Sequence, residues 1–310
     1  MIEPNNAAGR GITVIDLSKH YGHNYALSHV DAHFEPGKIH GLLGRNGAGK
    51  TTLMSIICNH SFKSSGGVLI DGQNPAENAM ILSRVCFVHE NQRWHDVYTA
   101  GMILHSAERF YPSWDRSLSE CLVQCLNLPL SVRSRKLSRG QRSALAVVIA
   151  LSSHARYTFL DEPYLGMDAT AREVFYEQLA ITQSDDPRTF VMSSHLIDEC
   201  AGLLETVTIL HDGRVVGSES VDDATANTWV YVGAQASAER VLTNVEILSM
   251  SSMGGMCTVV FRGVLSEGQR ALLRAGSMAE LRHTTLQELV SAIGSAEPQN
   301  NTPSRQGTLK

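Results

Sequence analysis

From Ile12 to Gly217, short β-branched runs alternate with longer stretches of helical periodicity, a pattern that predicts an α/β domain on a largely parallel sheet. The runs predict strands at 12–17, 26–34, 39–43, 68–70, 85–88, 157–160, 189–192 and 206–210, with Gly and Pro punctuating their ends. Between Val97 and Gln141 the strand signals stop. Two helical stretches follow, 99–110 and 114–126, broken by Tyr111-Pro112-Ser113, and they predict a helical subdomain inserted at about 95–140. After Asp222 the pattern weakens. Strands at 228–232, 245–250 and 257–261 with helices at 266–274 and 285–293 predict a small α/β appendage over 226–293. The polar stretch 296–310 is expected to be disordered. The chain contains no internal repeat, heptad run or low-complexity block.

Composition narrows the class without naming a chemistry. The 310 residues are 43% apolar and 18% charged, enough to bury a sizeable core, so wholesale disorder and collagen-like or disulfide-scaffold architectures are excluded. With 26 Lys and Arg against 31 Asp and Glu, the net charge of −5 provides no broad footprint for nucleic acid, and none is expected as a partner. The longest apolar run, 144–151, is far short of a membrane span and ends at Ser152-Ser153-His154. The opening Met1-Ile2-Glu3-Pro4-Asn5-Asn6 lacks the basic start and apolar run of a secretory signal, which predicts a cytoplasmic protein. Its six cysteines then lie in a reducing compartment and read mostly as small core residues. Cys121 and Cys125 can share a helix face and half a metal site, but no His or Cys partner lies nearby in sequence.

The decisive segment is Gly44-Arg45-Asn46-Gly47-Ala48-Gly49-Lys50-Thr51, which fits G-x-x-x-x-G-K-[ST] between an apolar strand at 39–43 and a helical run at 52–58 that Thr52 opens. Its glycines let the backbone fold into a nest whose N–H groups converge on phosphates, and the helix N-terminus adds positive potential. Lys50 is expected to reach the β- and γ-phosphates, and Thr51 to ligate Mg²⁺. A carboxylate for the metal is supplied by Asp161, at the end of the strand Tyr157-Thr158-Phe159-Leu160, where a neighbouring strand end carries the metal Asp of P-loop proteins. Glu162 follows directly. One residue past the metal ligand, its carboxylate is placed to polarise an attacking water, which predicts hydrolysis as well as binding. Taken alone, Asp161-Glu162-Pro163 also suits a strand terminus followed by a turn.

A third element identifies a family. Leu137-Ser138-Arg139-Gly140-Gln141 opens a strongly apolar helix and resembles the signature motif of ABC ATPases, although on its own it also suits a helix capped by Ser138. No Asn-Lys-x-Asp guanine-reading motif is present, which counts against a GTPase. The resemblance implies roles for further residues: Tyr21 looks like the aromatic that stacks on adenine, Gly166-Met167-Asp168 like the D-loop that crosses a dimer interface, and His195 like the switch histidine on the γ-phosphate. It also implies the fold: a P-loop ATPase core with a mainly parallel sheet over 11–221, an N-terminal antiparallel β part, the inserted helical subdomain and the small C-terminal appendage.

There are departures from the family pattern. Glu90 occupies the place usually held by the Q-loop Gln, with Gln92 two residues away; Glu at this place is seen in ABC-2 type exporter ATPases, and a metal-sensing role is expected for Glu90. Arg139 stands where Gly is commoner, and Tyr164-Leu165 replaces the frequent Thr/Ser-x after Pro163. Phe110-Tyr111-Pro112-Ser113-Trp114-Asp115, Gly44-Arg45-Asn46 and Thr285-Leu286-Gln287-Glu288-Leu289 resemble ATP-binding subunits of bacterial ABC-2 type, antibiotic-exporter-like systems.

For such a subunit the resemblance implies ATP and Mg²⁺ as cofactors and two partners. One is a second ATPase subunit in a head-to-tail sandwich, where Ser138, Gly140 and Gln141 of one copy complete the nucleotide site of the other. The other is a polytopic membrane permease that would hold the protein on the inner face of the cell membrane and through which export is driven. Two further readings compete. A translation-factor or chromosome-acting ABC protein would carry two cassettes or long coiled coils, and neither is in this chain. A regulatory module without useful hydrolysis is opposed by Glu162 and His195.

Overall fold

A computed structural model describes residues 10–90, 92–274 and 279–294; the tail expected to be disordered, 296–310, lies outside them. The chain divides between Asp223 and Ala224 into two compact units.

The first unit opens with three antiparallel strands in the order β2-β1-β4: β1 (Ile12–Tyr21), β2 (Asn24–Phe34) and, after β3 (Ile39–Leu43) and α1 (Lys50–Ile57), β4 (Ser65–Ile70). β1 runs four residues beyond its predicted end. Register shifts between Val14 and Leu17 and the left-handed backbone of Asp16 interrupt the in/out alternation there, so a period-2 reading stops at the bulge. Next come α2 (Ala79–Leu82), β5 (Val85–His89), α3 (Ala100–Phe110), α4 (Arg116–Cys125), α5 (Arg139–Ser152), β6 (Tyr157–Asp161), α6 (Ala169–Asp185), β7 (Thr189–Ser193), α7 (Ile197–Cys200), β8 (Thr206–His211) and β9 (Arg214–Ser220).

These strands build the main sheet in the order β5-β6-β7-β3-β8-β9, parallel up to β8. β3, β6 and β7 are buried along their whole length, as strands covered on both faces must be, which is why they read as unbroken apolar runs. The closing strand β9 pairs antiparallel with β8 and lies outside the predicted set. Half of it faces solvent, but the Asp212-Gly213 turn, with positive φ at both residues, is a hairpin signal that marks it. α6 also lies outside the predicted elements: only Phe175, Leu179 and Thr182 are buried along 17 residues, too thin a stripe for a periodic signal. The caps of the two predicted helices are Thr99 and Asp115, whose side chains accept from Met102 N and Leu118 N, so α3 and α4 begin just past their first predicted residues.

α8 (Val221–Ala226) leads into β10 (Thr228–Ala234), α9 (Gln235–Val241), β11 (Glu246–Met253), β12 (Met256–Arg262), α10 (Glu267–Arg274), β13 (Glu280–His283) and α11 (Leu286–Ile293). The sheet order β11-β12-β10-β13 with β-α-β-β-α-β connectivity is the ferredoxin-like arrangement, followed by one extra helix. Alternation along β10 explains the packing: Trp229 and Tyr231 face Ala238, Val241 and Leu273 of α9 and α10, while Val230 faces Ala292 of α11 on the opposite side. Thr285 and Glu288 cap α11 reciprocally, and Arg282 pulls the Glu288 carboxyl down to about 2. α9 and β13 were not predicted; both are short.

Asp71, just past β4, joins the two sheets of the first unit. Its carboxylate accepts from the Tyr157 hydroxyl at 2.6 Å and from Gly11 N at 3.2 Å, with Arg156 at 3.3 Å. Burial, together with this bond, pushes the Tyr157 phenol up to about 12. Asp71→Ala leaves a largely buried hydroxyl and an amide without their acceptor. It is expected to lower unfolding stability by about 1–3 kcal/mol in chemical denaturation, and an unchanged midpoint would contradict this tie.

Candidate functional site

The loop between β3 and α1 is shaped by residues that only glycine can replace. Gly49, the cap of α1, has φ +106°, and a Cβ there would lie 2.5 Å from the Ala26 carbonyl oxygen. No side chain caps α1, so its first amides point out of the helix end toward the loop's concave side. Lys50 is 6% exposed and folds back along the loop, its ammonium donating to Gly44 O at 2.7 Å and Arg45 O at 3.2 Å. Burial pushes its amine down, and the carboxylates of Glu162 and Asp161 oppose that shift. Gly44, Arg45 and Ala48 thus serve the loop's own backbone: Ala48 is buried in the core, and its N–H closes on Arg45 O at 3.1 Å.

One expectation about the strands is corrected. Asp161 ends β6, but β6 does not neighbour β3, because β7 lies between them. The gap is bridged by side chains. Thr51 Oγ1 donates to Asp161 Oδ2 at 2.6 Å, and Ser193 Oγ, at the end of the intervening strand, donates to Asp161 Oδ1 at 2.6 Å. Ser193 Oγ also accepts from Glu162 N at 3.0 Å. The inserted strand is therefore part of the site, and Ser193, to which sequence reasoning gave no role, binds the Asp161 carboxylate and the backbone of Glu162.

Glu162 sits in the left-handed region at φ +52°, uncommon for a residue with a side chain and a form of strain that recurs at functional sites. Its Oε2 contacts His195 Nδ1 and accepts from the Tyr164 hydroxyl at 2.7 Å. Leu137-Ser138-Arg139-Gly140-Gln141 opens α5 through a capping box, with Gln141 N donating to Ser138 Oγ at 3.1 Å and Ser138 N to Gln141 Oε1 at 2.9 Å. Gly140 is required here by close approach, since a Cβ would meet Gly166 O at 2.4 Å.

A cleft of about 440 Å³ brings together Asn46, Gly47, Gly49, Lys50, Thr51, Thr52, Glu90, Asp161, Glu162 and His195 of the expected residues, and adds Ala26, Arg139 and Leu165. Tyr21, Ser138, Gly140, Gln141 and Asp168 are not in its lining. Tyr21 ends β1 with its ring exposed under the Lys19 ammonium at 4.6 Å; Asp168 caps α6, accepting from Ala171 N at 2.9 Å; Ser138 is exposed at the start of α5. Of the two Q-loop candidates Glu90 lines the cleft, whereas the Gln92 side chain accepts from His89 N at 3.4 Å and faces a separate depression. The Glu90 carboxylate is held by the Arg139 guanidinium, so two of the departures from the family pattern touch one another. Cys121 and Cys125 do share a face of α4, Sγ to Sγ 3.9 Å, but among the described residues no group of three His, Cys, Asp or Glu could hold a metal; Cys58, Cys86, Cys200 and Cys257 are buried.

Residues 27–165 match the family model for the ABC transporter domain. Among curated relatives, the chain is 26% identical over 68% of its length to 73% of the ABC transporter ATP-binding protein YtrB of Bacillus subtilis. It is 27% identical over 67% of its length to 68% of the bacitracin transport ATP-binding protein BcrA of Enterococcus faecalis. An arabinose import ATP-binding protein, AraG 1 of Burkholderia thailandensis, is 31% identical over 63% of the chain but only 41% of its own length. Among solved structures, an ATP-binding subunit of an ABC transporter superposes with TM-score 0.62 at 24% identity, covering 69% of this chain and 91% of that one. A dimeric post-hydrolysis ATP-binding cassette bound to ADP and Pi gives 0.60 at 22% identity, over 68% and 98%. The two structures share the fold of this chain, residues 27–165 match the ABC transporter family, and the relatives that the chain resembles are ABC transporter ATP-binding proteins.

Proposed function

We propose that this chain is the ATP-hydrolysing subunit of an ABC exporter, with the cleft between the Lys50 loop, Asp161, Glu162 and His195 as its catalytic site. The observation that carries the reading is the convergence of five groups from three separate segments on one cleft. Lys50 and the α1 amides would hold the β- and γ-phosphates. Thr51 Oγ1 and Asp161 Oδ2, two hard oxygens 2.6 Å apart, fit Mg²⁺, which commonly takes one or two carboxylates plus phosphate oxygens; bound there it would neutralise charge on those oxygens. Glu90 would join them only by exchanging its Arg139 partner.

Glu162 acts as the general base. It takes a proton from a water whose oxygen bonds to the γ-phosphorus, while the bridging P–O bond breaks and its electron pair leaves with ADP. His195 would turn its outer ring nitrogen to the γ-phosphate. Ser138, Gly140 and Gln141 do not line their own cleft, which supports their use by a second copy in a head-to-tail dimer, with Tyr21 stacking on adenine and Asp168 at the junction. ATP then favours the closed pair, and hydrolysis removes that preference.

Among the described residues no helix is long and apolar enough to cross a membrane. The reading pairs the chain with a separate membrane subunit, on whose cytoplasmic side it would sit. Export, and not import, is favoured by the likeness to antibiotic-exporter ATPases around 110–115; co-purification with a polytopic membrane protein tests the pairing.

Lys50→Ala removes a buried cation and its charge-assisted bonds. ATP affinity by fluorescent-nucleotide titration is expected to fall about 10–100-fold, and unchanged affinity would remove the loop from the site. For Glu162→Gln, kcat is expected to drop by about 10²–10⁴ with ATP affinity retained, so that the ATP-loaded dimer accumulates in size-exclusion runs; normal turnover would refute the base.

A further inference from the structure

We propose that Tyr164 is a positioning residue for the hydrolytic reaction, its hydroxyl locking the Glu162 carboxylate to the backbone of the His195 loop. The inference rests on the ATPase reading above and deepens it. Tyr164 takes the place where the resemblance leads one to expect Thr or Ser, and it is 1% exposed.

Its single hydroxyl is surrounded by hydrogen-bonding groups. The oxygen accepts from His195 N at 2.9 Å. It lies 3.0 Å from Ser194 Oγ, which itself accepts from Leu196 N at 3.0 Å and has a proton that it can give to the tyrosine. Leu196 N lies 3.5 Å away and His195 Nδ1 3.2 Å; the phenol proton goes to Glu162 Oε2 at 2.7 Å, the shortest of these contacts and the one to an anion. Burial pushes the phenol up, so this proton stays in place throughout the neutral range.

Two consequences follow. Glu162 Oε2 is taken by the phenol and by His195 Nδ1, which leaves Oε1 as the oxygen for a water. The bond from Nδ1 to the carboxylate also assigns the Nδ1-protonated form of the ring, so the other nitrogen is the one directed outward. When His195 turns to a γ-phosphate, Glu162 loses that contact. Tyr164 keeps the carboxylate in register while the ring leaves, because the His195 amide and Ser194 still hold its hydroxyl once the 3.2 Å contact to the imidazole is lost. A Thr or Ser at 164 has a hydroxyl on Cβ and could not span this distance.

The test is Tyr164→Phe in the full chain, which deletes only the hydroxyl, read by steady-state MgATP hydrolysis and by fluorescent-ATP titration. Positioning predicts a kcat lowered about 10–100-fold with the KM for ATP within about twofold, and an ATP-loaded dimer that accumulates as in Glu162→Gln. A kcat within twofold of the parent, or a fall in kcat matched by an equal rise in KM, overturns the proposal. Should Tyr164→Phe fail to fold, Ser194→Ala reads the same lock from its other side; it is expected to lower kcat about 3–10-fold at constant KM, and an unchanged kcat overturns the proposal. Failure of the underlying reading looks different. A parent chain that hydrolyses no ATP, or Glu162→Gln turning over normally, removes the ATPase assignment, whereas an active parent, an inactive Glu162→Gln and a fully active Tyr164→Phe remove Tyr164 alone.

Discussion

The site is organised around a single carboxylate. Asp161 is buried, and its two oxygens receive two hydroxyls from opposite directions, Thr51 on the phosphate-loop helix and Ser193 at the end of the strand inserted between the loop strand and its own. A buried carboxylate with unmet acceptors costs several kcal/mol, so both hydroxyls are held in position and with them the two segments that carry them. Through Ser193 the same constraint reaches the backbone of Glu162 and holds it in a left-handed conformation that an unrestrained chain would leave. The relative placement of the Lys50 loop, Thr51 and Glu162 thus depends on one residue's bonding capacity.

Around this centre, the departures from the family pattern do not act separately. Arg139 and Glu90 form an ion pair at the edge of the cleft, half exposed and therefore worth little to stability. Its consequence is geometric: it joins the first turn of α5 to the end of β5, so a ligand that attracts Glu90 must also free Arg139. The stem of Arg139 packs on Gly166, where any side chain would meet it within 3 Å. The start of α5, the turn after Glu162 and the end of β5 are therefore in contact through Arg139.

Much of this was legible in sequence because the chemistry demands particular residues at short range. The loop is one contiguous segment whose Gly44 and Gly49 are required by backbone approach, and Asp161 ends an apolar strand that only a two-sided sheet explains. What sequence could not show is pairing across space. Strand order is set by crossovers, so the insertion of β7 between β3 and β6 leaves no local trace, and neither does the resulting need for Ser193. Tyr164, Glu90 and Arg139 stood out individually as departures, but their contacts join residues far apart in the chain. β9 was missed where a hairpin signal existed at Asp212-Gly213, and α6, α9 and β13 because thin stripes or short spans carry too little periodicity.

The central claim is that one chain grips a triphosphate whose far side is completed by the signature helix of a second copy. A crystal structure of Glu162→Gln loaded with MgATP tests it most directly. The account predicts the β- and γ-phosphates against Lys50 and the α1 amides, with Ser138 and Gly140 of the partner copy within hydrogen-bonding reach of the γ-phosphate. A nucleotide bound away from the Lys50 loop, or a dimer in which the signature helices face elsewhere, would contradict it.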